Sequence, residues 1–340
     1  MKPPVLILFG PTASGKTAIL KTLFGDLSIP AEIISADSMQ VYRGMDIGTA
    51  KPTPEEREKI PHHLIDIRNP DEQFNAGDFV RLAEASCLAA SERGALPVVS
   101  GGTGFYLKNL VMGLSEAPPS NMEIRAKIRE DLASRGAEAL MEELAKADPV
   151  SAERIHVNDV YRLSRALEVY RISGKPLSSY NSPWTSAPRE TAVGTAVGTD
   201  VKTAEKTAEN DRPFRFLLIG LRRKREELYR RINERTAAMF RAGLPDEVRR
   251  LYKAGYSPSD PGLKAIGYRE FFSEDFEAAA AGAWRLLDDL AGIEAFAAQN
   301  SRRYAKRQIT FFASIPGVKW IDCGDDRDVA DEIKRELENL

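Results

Sequence analysis

A complete phosphate-binding loop, GPTASGKT at residues 10–17, constrains the fold more than any other part of this sequence. It matches the pattern G-x-x-x-x-G-K-[ST] and directly follows the apolar run VLILF at residues 5–9. A strand, a glycine-rich turn and a helix in this order direct several backbone N–H groups and a helix N-terminus at one point. The segment therefore predicts a site for a diphosphate-like anion, without identifying the compound. The predicted diphosphate-binding residues are Gly10, Pro11, Thr12, Ala13, Ser14, Gly15, Lys16 and Thr17.

Short apolar strands then alternate with helical patterns, which favours an α/β fold with a parallel sheet flanked by helices on both faces. One strand, at residues 31–35, leads to Asp37, and another, at residues 97–100, leads to the turn GGTG. Ligands bind at the carboxyl edge of such sheets. We therefore expect Asp37 and Thr103 to lie near Lys16. Further strands are predicted at residues 214–220 and 318–322, and a helix at residues 78–93.

Composition excludes several classes of protein. The formal net charge of −2 argues against bulk attraction to nucleic acid, although local basic clusters can still bind a phosphate backbone. Cys87 and Cys323 lack C-x-x-C spacing, which argues against a disulfide framework or a zinc site and favours a reducing cytoplasm. The N-terminal apolar run is too short for a signal peptide or a membrane span, so we expect a soluble protein. No feature demands a dimer, and we expect a monomer.

The chain divides by composition into a core and an insertion. Residues 117–180 are charged, alanine-rich and helical in pattern, which predicts an inserted all-helical subdomain. Residues 181–212 contain the near-repeats TAVGTAVG and TAEKTAEN and have no apolar periodicity, so we predict a flexible, low-complexity linker. Residues 1–116 and 213–340 then form the core. Two basic segments follow the linker, at residues 222–235 and 302–307.

Several long motifs, taken in order, resemble the tRNA dimethylallyltransferase family over nearly the whole chain. They are GPTASGKT at residues 10–17, SADSMQVYRGMDIGTAKPT at 35–53, PHHLID at 61–66, FNAGDF at 74–79, SGGTGFYL at 100–107, RLSRALEVYRISGKPLS at 162–178, LKAIGYREF at 263–271 and SRRYAKRQITFF at 301–312. The linker departs from the family pattern, since it is longer and more repetitive than is usual there.

The resemblance implies a P-loop NTPase-like core and transfer of a dimethylallyl group from dimethylallyl diphosphate to tRNA. The acceptor would be N6 of the adenosine on the 3′ side of the anticodon, and diphosphate would be released. The implied catalytic residues are Asp37 as general base, with Lys16, Thr103 and Arg225 at the diphosphate. Thr17 would bind Mg²⁺, the one implied cofactor, which bridges phosphate oxygens.

The resemblance also implies the surfaces that bind tRNA. The helical insertion would take the anticodon stem-loop, and the C-terminal helices would grip the RNA backbone through their cations. The target adenine must leave its stack to be read along its edges. The implied tRNA-binding residues are Asp37, Ser38, Met39, Gln40, Thr103, Arg125, Tyr161, Arg162, Leu163, Ser164 and Arg165.

Other readings of the same residues remain open at this stage. Asp37 could cap a turn, and Thr103 could cap the helix that follows it. We expect no metal site at His62 and His63, because adjacent histidines do not share a helical face. The chain could prenylate a free nucleotide, as the adenylate-type isopentenyltransferases do. It could also be an ATP-dependent small-molecule kinase, with Asp66 as a weak second acidic strand end, or an RNA-binding module without catalysis.

Overall fold

The computed structural model describes residues 2–25, 29–180, 213–273, 284–324 and 326–339. The whole of the predicted linker, residues 181–212, lies outside the described residues. The described part contains a six-stranded sheet in the order β3-β2-β4-β1-β5-β6, in which every pairing is parallel. The strands are β1 Pro4–Phe9, β2 Ala31–Ser35, β3 His62–His63, β4 Leu96–Gly101, β5 Arg215–Arg222 and β6 Lys319–Asp322.

Helices connect these strands and continue the chain beyond them. The first four are α1 Lys16–Phe24, α2 Pro54–Lys59, α3 Ala76–Glu92 and α4 Gly104–Met112. The insertion contains α5 Met122–Ala147, α6 Pro149–Arg154 and α7 Val160–Ser173. The C-terminal helices are α8 Arg225–Arg241, α9 Leu244–Lys253, α10 Leu290–Phe312 and α11 Asp326–Glu338.

Strand β1 explains why helices cover both faces of the sheet. Its side chains alternate between two cores, with Val5, Ile7 and Phe9 in one and Leu6 and Leu8 in the other. Helices α3, α4 and α10 complete the first core, and α1 and α11 complete the second. A strand buried on both faces reads as a continuous apolar run rather than an alternating one. The prediction of a parallel α/β sheet with helices on both faces is therefore confirmed.

The chain forms two compact units. The first contains Met1–Val111 and Arg212–Leu340, and the second contains Met112–Asp211. The sequence placed this boundary near residue 117, five residues later, because α4 ends at Met112 before the composition changes. Within the second unit, Gly136 has φ 82° and ψ 169°, which breaks α5 into two helical parts.

The predicted elements differ from those observed by one or two residues at most ends. The strand predicted at residues 214–220 is Arg215–Arg222, and the helix predicted at residues 78–93 is Ala76–Glu92, where Asn75 caps the first turn. Among the helices that the structure describes, none combines the length and apolar character needed to cross a bilayer.

Candidate active site

A cavity of about 1010 Å³ opens at the carboxyl ends of β1, β2 and β4 in the first unit. Its walls come from the phosphate-binding loop, from the segments that follow β2 and β4, and from helices α8 and α10. The lining includes residues 12–17, Asp37, Gln40, Gly101, Gly102, Arg231, Arg235, Tyr304 and Gln308. The loop and Asp37 thus share one cavity, as the strand order requires.

The loop has the backbone conformation that an anion site needs. Gly15 has φ 106°, in the region that favours glycine, and α1 begins at the next residue. The first amides of a helix have no intrahelical partner. The N–H groups at the start of α1 are therefore available to an anion in the cavity, which Lys16 and Thr17 line. Lys16 curls beneath the loop, and its Nζ donates to the carbonyl oxygens of Gly10 at 2.8 Å and Pro11 at 3.0 Å.

Three arginines from the C-terminal part of the chain donate hydrogen bonds to successive residues of the loop. The Nε of Arg223 donates to the carbonyl of Ser14 at 3.1 Å, and the Nε of Arg231 donates to the carbonyl of Ala13 at 3.0 Å. The Nη1 of Arg235 donates to Thr12 Oγ1 at 2.9 Å. Arg231 and Arg235 are four residues apart on α8 and therefore share a face, and both line the cavity.

Burial and charge lower the pKa of the cavity's lysine. Burial is the main cause and the positive charge of Arg235 is the next, while Asp37 opposes both, and the pKa of Lys16 falls to about 8. The pKa of Arg235 is also lowered by burial and raised in part by Asp37. Cations are crowded and poorly hydrated here, so a bound anion would favour their charged forms.

Asp37 fits both readings that the sequence left open. Its Oδ1 accepts a hydrogen bond from the backbone N–H of Met39 at 2.9 Å and a longer one from Gln40 at 3.4 Å, which is a turn-capping geometry. Asp37 is also a half-buried member of the cavity lining, close enough to influence the pKa of Lys16. One carboxylate oxygen therefore fixes the turn, and the residue still faces the cavity.

The turn after β4 packs directly against the segment that carries Asp37. A Cβ on Gly101 would stand 2.2 Å from the carbonyl oxygen of Ala36, so only glycine permits this approach. Thr103 Oγ1 accepts from the backbone N–H of Ser38 at 3.0 Å and contacts Ser38 Oγ at 3.3 Å. Its hydroxyl thus binds the neighbouring segment instead of capping α4. Thr103 is half-buried and directly follows Gly102, which lines the cavity.

Gln40 and Met39 are committed to internal contacts. Gln40 Oε1 accepts from Ser35 Oγ at 2.8 Å, and its Nε2 donates to the carbonyls of Thr49 at 3.2 Å and Ala50 at 3.3 Å. Met39 packs, half-buried, against an apolar core of the first unit. Gln40 still lines the cavity, but its amide already supports the loop at residues 49–50.

Arg225 does not reach the cavity, which corrects the prediction that it faces the diphosphate. It is exposed at the first position of α8, and its guanidinium lies 5.1 Å from the ring centre of Tyr229. Arg231 comes six positions after Arg225, and a rotation of about 100° per residue places the two side chains on different faces of the helix. The structure brings Arg223, Arg231 and Arg235 to the loop instead.

The residues predicted to bind tRNA in the second unit divide into two groups. Leu163 is fully buried in the core of this unit and cannot contact RNA. Arg125 and Arg165 bind the buried carboxylate of Glu168 at 3.0 and 2.7 Å. Burial therefore contradicts the prediction for Leu163, whereas Arg125 and Arg165 are partly exposed and their contacts with tRNA stay predictions. The other predicted residues of this unit are accessible: Tyr161, which is 73% exposed, and Arg162 are exposed, and Ser164 is half-buried.

Glu168 explains why those two arginines are fixed. Besides the arginines, it accepts from Ser120 Oγ at 2.8 Å and from the backbone N–H of Asn121 at 2.7 Å. Burial acts to raise its pKa, but these hydrogen bonds outweigh burial, and the pKa of Glu168 is lowered. Removing either arginine would leave a buried charge short of a partner.

The acidic and histidine residues near β3 form structural contacts. Asp66 pairs with Lys51 at 2.6 Å and Arg57 at 2.9 Å, so the weak candidate for a second acidic strand end is engaged elsewhere. His63 Nε2 hydrogen-bonds Glu32 at 2.6 Å. His62 lines the cavity, and burial lowers its pKa.

The described residues contain no cluster of three or more His, Cys, Asp or Glu side chains that could hold a metal. Mg²⁺ prefers oxygen ligands and is often held by one or two protein groups, waters and substrate phosphates. Thr17 offers a hydroxyl oxygen at the cavity, beside the loop that would hold the phosphates. This oxygen donor set fits Mg²⁺ held mainly by a bound diphosphate.

The lining residues that the sequence did not predict as ligands include two pairs at i, i+4 spacing, Arg231 with Arg235 and Tyr304 with Gln308. Arg231 and Arg235 carry a usable signal, since cations at i and i+4 on a helix share a face. Tyr304 and Gln308 carry the same spacing, but nothing local shows that α10 reaches the loop. Burial, with a smaller effect of Asp37, raises the pKa of Tyr304 to about 12.

Comparison with known proteins agrees with this architecture. The family model described as IPP transferase matches residues 40–314. The chain is 41% identical to the tRNA dimethylallyltransferase of Geobacter sulfurreducens over 321 residues, covering 94% of this chain and 92% of that protein. It is also 41% identical over 330 residues to the enzyme of that name from Geobacillus kaustophilus, covering 96% and 92%.

A solved structure gives the same result in three dimensions. The tRNA delta(2)-isopentenylpyrophosphate transferase of Staphylococcus epidermidis is 34% identical, with 99% of each chain covered and a TM-score of 0.64. Sequence and structure comparisons therefore agree over nearly the full length.

Proposed function

The chain belongs to the IPP transferase family, and we propose that it transfers a dimethylallyl group from dimethylallyl diphosphate to tRNA. The acceptor is N6 of the adenosine on the 3′ side of the anticodon, and the second product is diphosphate. Prenyl transfer to tRNA agrees with the names of its relatives. The particular donor, the residue roles and the magnesium ion are supported by the chemistry of the cavity.

One observation carries the proposal: a phosphate-binding loop, two loop-facing arginines and the carboxylate of Asp37 share a single cavity. Lys16, Arg231 and Arg235 supply positive charge where a diphosphate would lie, and Asp37 supplies the acceptor for a proton. Prenyl transfer from a diphosphate needs both functions. The cavity has room for a small isoprenoid donor beside a flipped base, since ligand pockets commonly span about 300–1,000 Å³.

The cations stabilise the group that leaves. As the C1–O bond of the donor breaks, negative charge grows on the bridging oxygen and spreads over the diphosphate. Lys16, Arg231 and the N-terminus of α1 are already fixed by the loop, so little reorganisation is needed when charge develops. Mg²⁺, held by the diphosphate and the Thr17 hydroxyl, would neutralise part of that charge.

Asp37 accepts the proton that the acceptor loses. A bond forms between the exocyclic N6 and C1 of the prenyl group while the C1–O bond breaks, and one N6 proton must depart. The amine is a poor base, so the proton leaves during or after attack. Asp37 remains available for this because its turn contacts use only Oδ1 among the hydrogen bonds of the described residues.

Exposed cations and aromatic side chains are the proposed tRNA contacts. Arg303, Lys306 and Arg307 are exposed on α10, and Arg307 lies 5.7 Å from the ring centre of Tyr304, which lines the cavity. In the second unit, Tyr161 and Arg162 are exposed on α7. Each lost phosphate contact should weaken tRNA binding and reduce its salt dependence. The free thiols of Cys87 and Cys323 support the cytoplasm as the location.

An acceptor comparison tests the proposal. The protein is incubated with Mg²⁺, labelled dimethylallyl diphosphate and one acceptor at a time: unmodified tRNA, the same tRNA with guanosine in place of the target adenosine, or AMP. We expect label only in the first tRNA, on N6 of that adenosine. Label in AMP alone would identify a free-nucleotide prenyltransferase. Phosphate transfer from ATP with no prenyl transfer would identify a kinase.

A further inference from the structure

One buried amide joins the two glycine-rich turns of the cavity. Gln308 extends from α10 and is 5% exposed. Its Oε1 accepts from the backbone N–H of Thr12 in the phosphate-binding loop at 2.9 Å. Its Nε2 donates to the carbonyl oxygen of Gly102, in the turn after β4, at 2.8 Å.

The chemistry of this contact is specific to an amide of this length. The loop presents a donor and the turn presents an acceptor, so the bridging group must accept on one side and donate on the other. A carboxylate would accept on both sides and leave the Gly102 carbonyl facing a negative oxygen. The fit is also tight, since a Cβ on Gly102 would stand 2.6 Å from Nε2.

The two joined turns carry different parts of the site. The loop holds the diphosphate cradle through Lys16, and the turn leads directly to Thr103, which binds Ser38 beside Asp37. Their strands pair only up to Phe9 and Gly101, and the glycine-rich backbone beyond these residues has wide conformational freedom. Gln308 spans the gap just past the end of this pairing.

We propose that Gln308 is a positioning residue that fixes the diphosphate cradle relative to the proton-accepting side of the cavity. It acts through the loop and the turn that it joins. The helix that carries it also contacts α8, where Arg302 donates to Asn233, the residue directly before the cavity-lining pair Glu234 and Arg235. This proposal rests on the proposed function, because it concerns the geometry of prenyl transfer.

Loss of the bridge should affect the donor side and spare tRNA binding. Displacement of reacting groups by about 1 Å is enough to slow a reaction by about 100-fold. The bridge does not use the exposed cations of α10, so tRNA affinity should remain at the parent value. A donor-specific defect therefore distinguishes positioning from general damage to the fold.

The test uses variants that approach the contact from both sides. Gln308→Met keeps the length and removes both hydrogen bonds, and Gln308→Glu keeps an acceptor but removes the donor. Gly102→Ala leaves Gln308 intact and pushes its amide away. The matched controls are Gln299→Met and Gln299→Glu, at an exposed position on the same helix. Each variant is first compared with the parent for its thermal unfolding midpoint.

Three quantities are measured on the full chain: the single-turnover transfer rate at saturating substrates, the Kd for inorganic pyrophosphate with Mg²⁺, and the Kd for tRNA. We expect transfer to slow by about 10–100-fold in Gln308→Met and Gly102→Ala, with the tRNA Kd within about twofold of the parent. Gln308→Glu should also bind pyrophosphate more weakly than Gln308→Met. The Gln299 controls should match the parent.

Unchanged transfer rates in the folded Gln308 and Gly102 variants would overturn the proposal, as would equal losses in the Gln299 controls. A lower unfolding midpoint combined with a parent-like transfer rate at temperatures below that midpoint would also overturn the proposal, because a purely structural amide would give this result. If Gln308→Met does not fold, Gly102→Ala decides alone. Failure of the proposed function is distinguishable, because the parent itself would then transfer no prenyl group while still binding pyrophosphate.

Discussion

At the residue scale, the lowered pKa of Lys16 links the binding of an anion to the uptake of a proton. Its ammonium binds two carbonyls of its own loop and is crowded by Arg235, and burial lowers its pKa to about 8. A diphosphate adds negative charge and so favours the charged amine again. Binding above pH 8 therefore requires Lys16 to take up a proton.

This linkage predicts how donor affinity depends on pH. The Kd for dimethylallyl diphosphate should be nearly constant from pH 7 to about 8 and rise toward tenfold per pH unit above it, because free Lys16 becomes neutral. The donor's own terminal phosphate titrates near pH 6 and does not interfere. Isothermal titration calorimetry across pH 7–9.5 measures the trend.

Lys16→Arg is the matched control, because a guanidinium stays charged throughout this range. Its Kd should show no rise above pH 8, whatever its absolute affinity. An identical rise in the parent and in Lys16→Arg would show that another group is responsible.

Asp37 allows its two roles to be separated by a pair of substitutions. Asp37→Asn keeps an oxygen that can accept from Met39 and removes the basic carboxylate, whereas Asp37→Ala removes both. If Asp37 is the base, both variants should slow single-turnover transfer by about 10²–10⁴-fold. If it only caps the turn, Asp37→Asn should keep most of the rate. Pyrophosphate binding should change little in Asp37→Asn.

At the scale of elements, one carboxylate on α9 fixes a loop beside the cavity. Glu247 is 1% exposed and accepts from the backbone N–H groups of Asp46, Ile47 and Gly48 at 2.9–3.2 Å. Tyr268, in the motif LKAIGYREF, donates to it at 2.6 Å. Thr49 and Ala50 follow directly and line the cavity. The motif therefore contributes by supporting this wall.

Glu247→Gln should destabilise the protein by about 2–4 kcal/mol. The substitution turns a charge-assisted acceptor for three amides into a neutral one and brings an NH₂ group against donors. The measurement is the free energy of unfolding in urea, followed by tryptophan fluorescence. Glu226→Gln, at an exposed position on α8, is the control. A change below about 0.5 kcal/mol would show that the contacts to Glu247 contribute little.

The elements also show which parts of the fold follow from local sequence. Strand β1 contains a continuous apolar run, β2, β4 and β5 contain shorter ones, and both glycine-rich turns are local patterns, so the meeting of the two turns at one edge could be predicted. The face of α8 that meets the loop could not be predicted, because it depends on the angle at which the helix crosses the loop. The basic run therefore suggested Arg225, whereas Arg231 and Arg235 reach the loop. The bridge from Gln308 to Thr12 spans 296 residues and has no local signal.

At the scale of the whole molecule, charge placement separates structural from functional cations. The chain has 48 basic and 50 acidic residues, so its attraction for RNA depends on where charges lie. In the second unit, Arg125 and Arg165 pair with the buried Glu168, which holds their guanidinium groups in place. Motif resemblance predicted these two positions, but their pairing with a buried carboxylate depends on packing and has no local signal.

The central claim is that the loop at residues 10–17 binds the leaving group of a prenyl donor. The most direct measurement is calorimetric titration of the protein, with Mg²⁺ and without tRNA, by dimethylallyl diphosphate and by ATP. The donor should bind, its affinity should fall by about 10–100-fold in Lys16→Met, and excess ATP should not be consumed. Binding and turnover of ATP, with no binding of dimethylallyl diphosphate, would contradict this account.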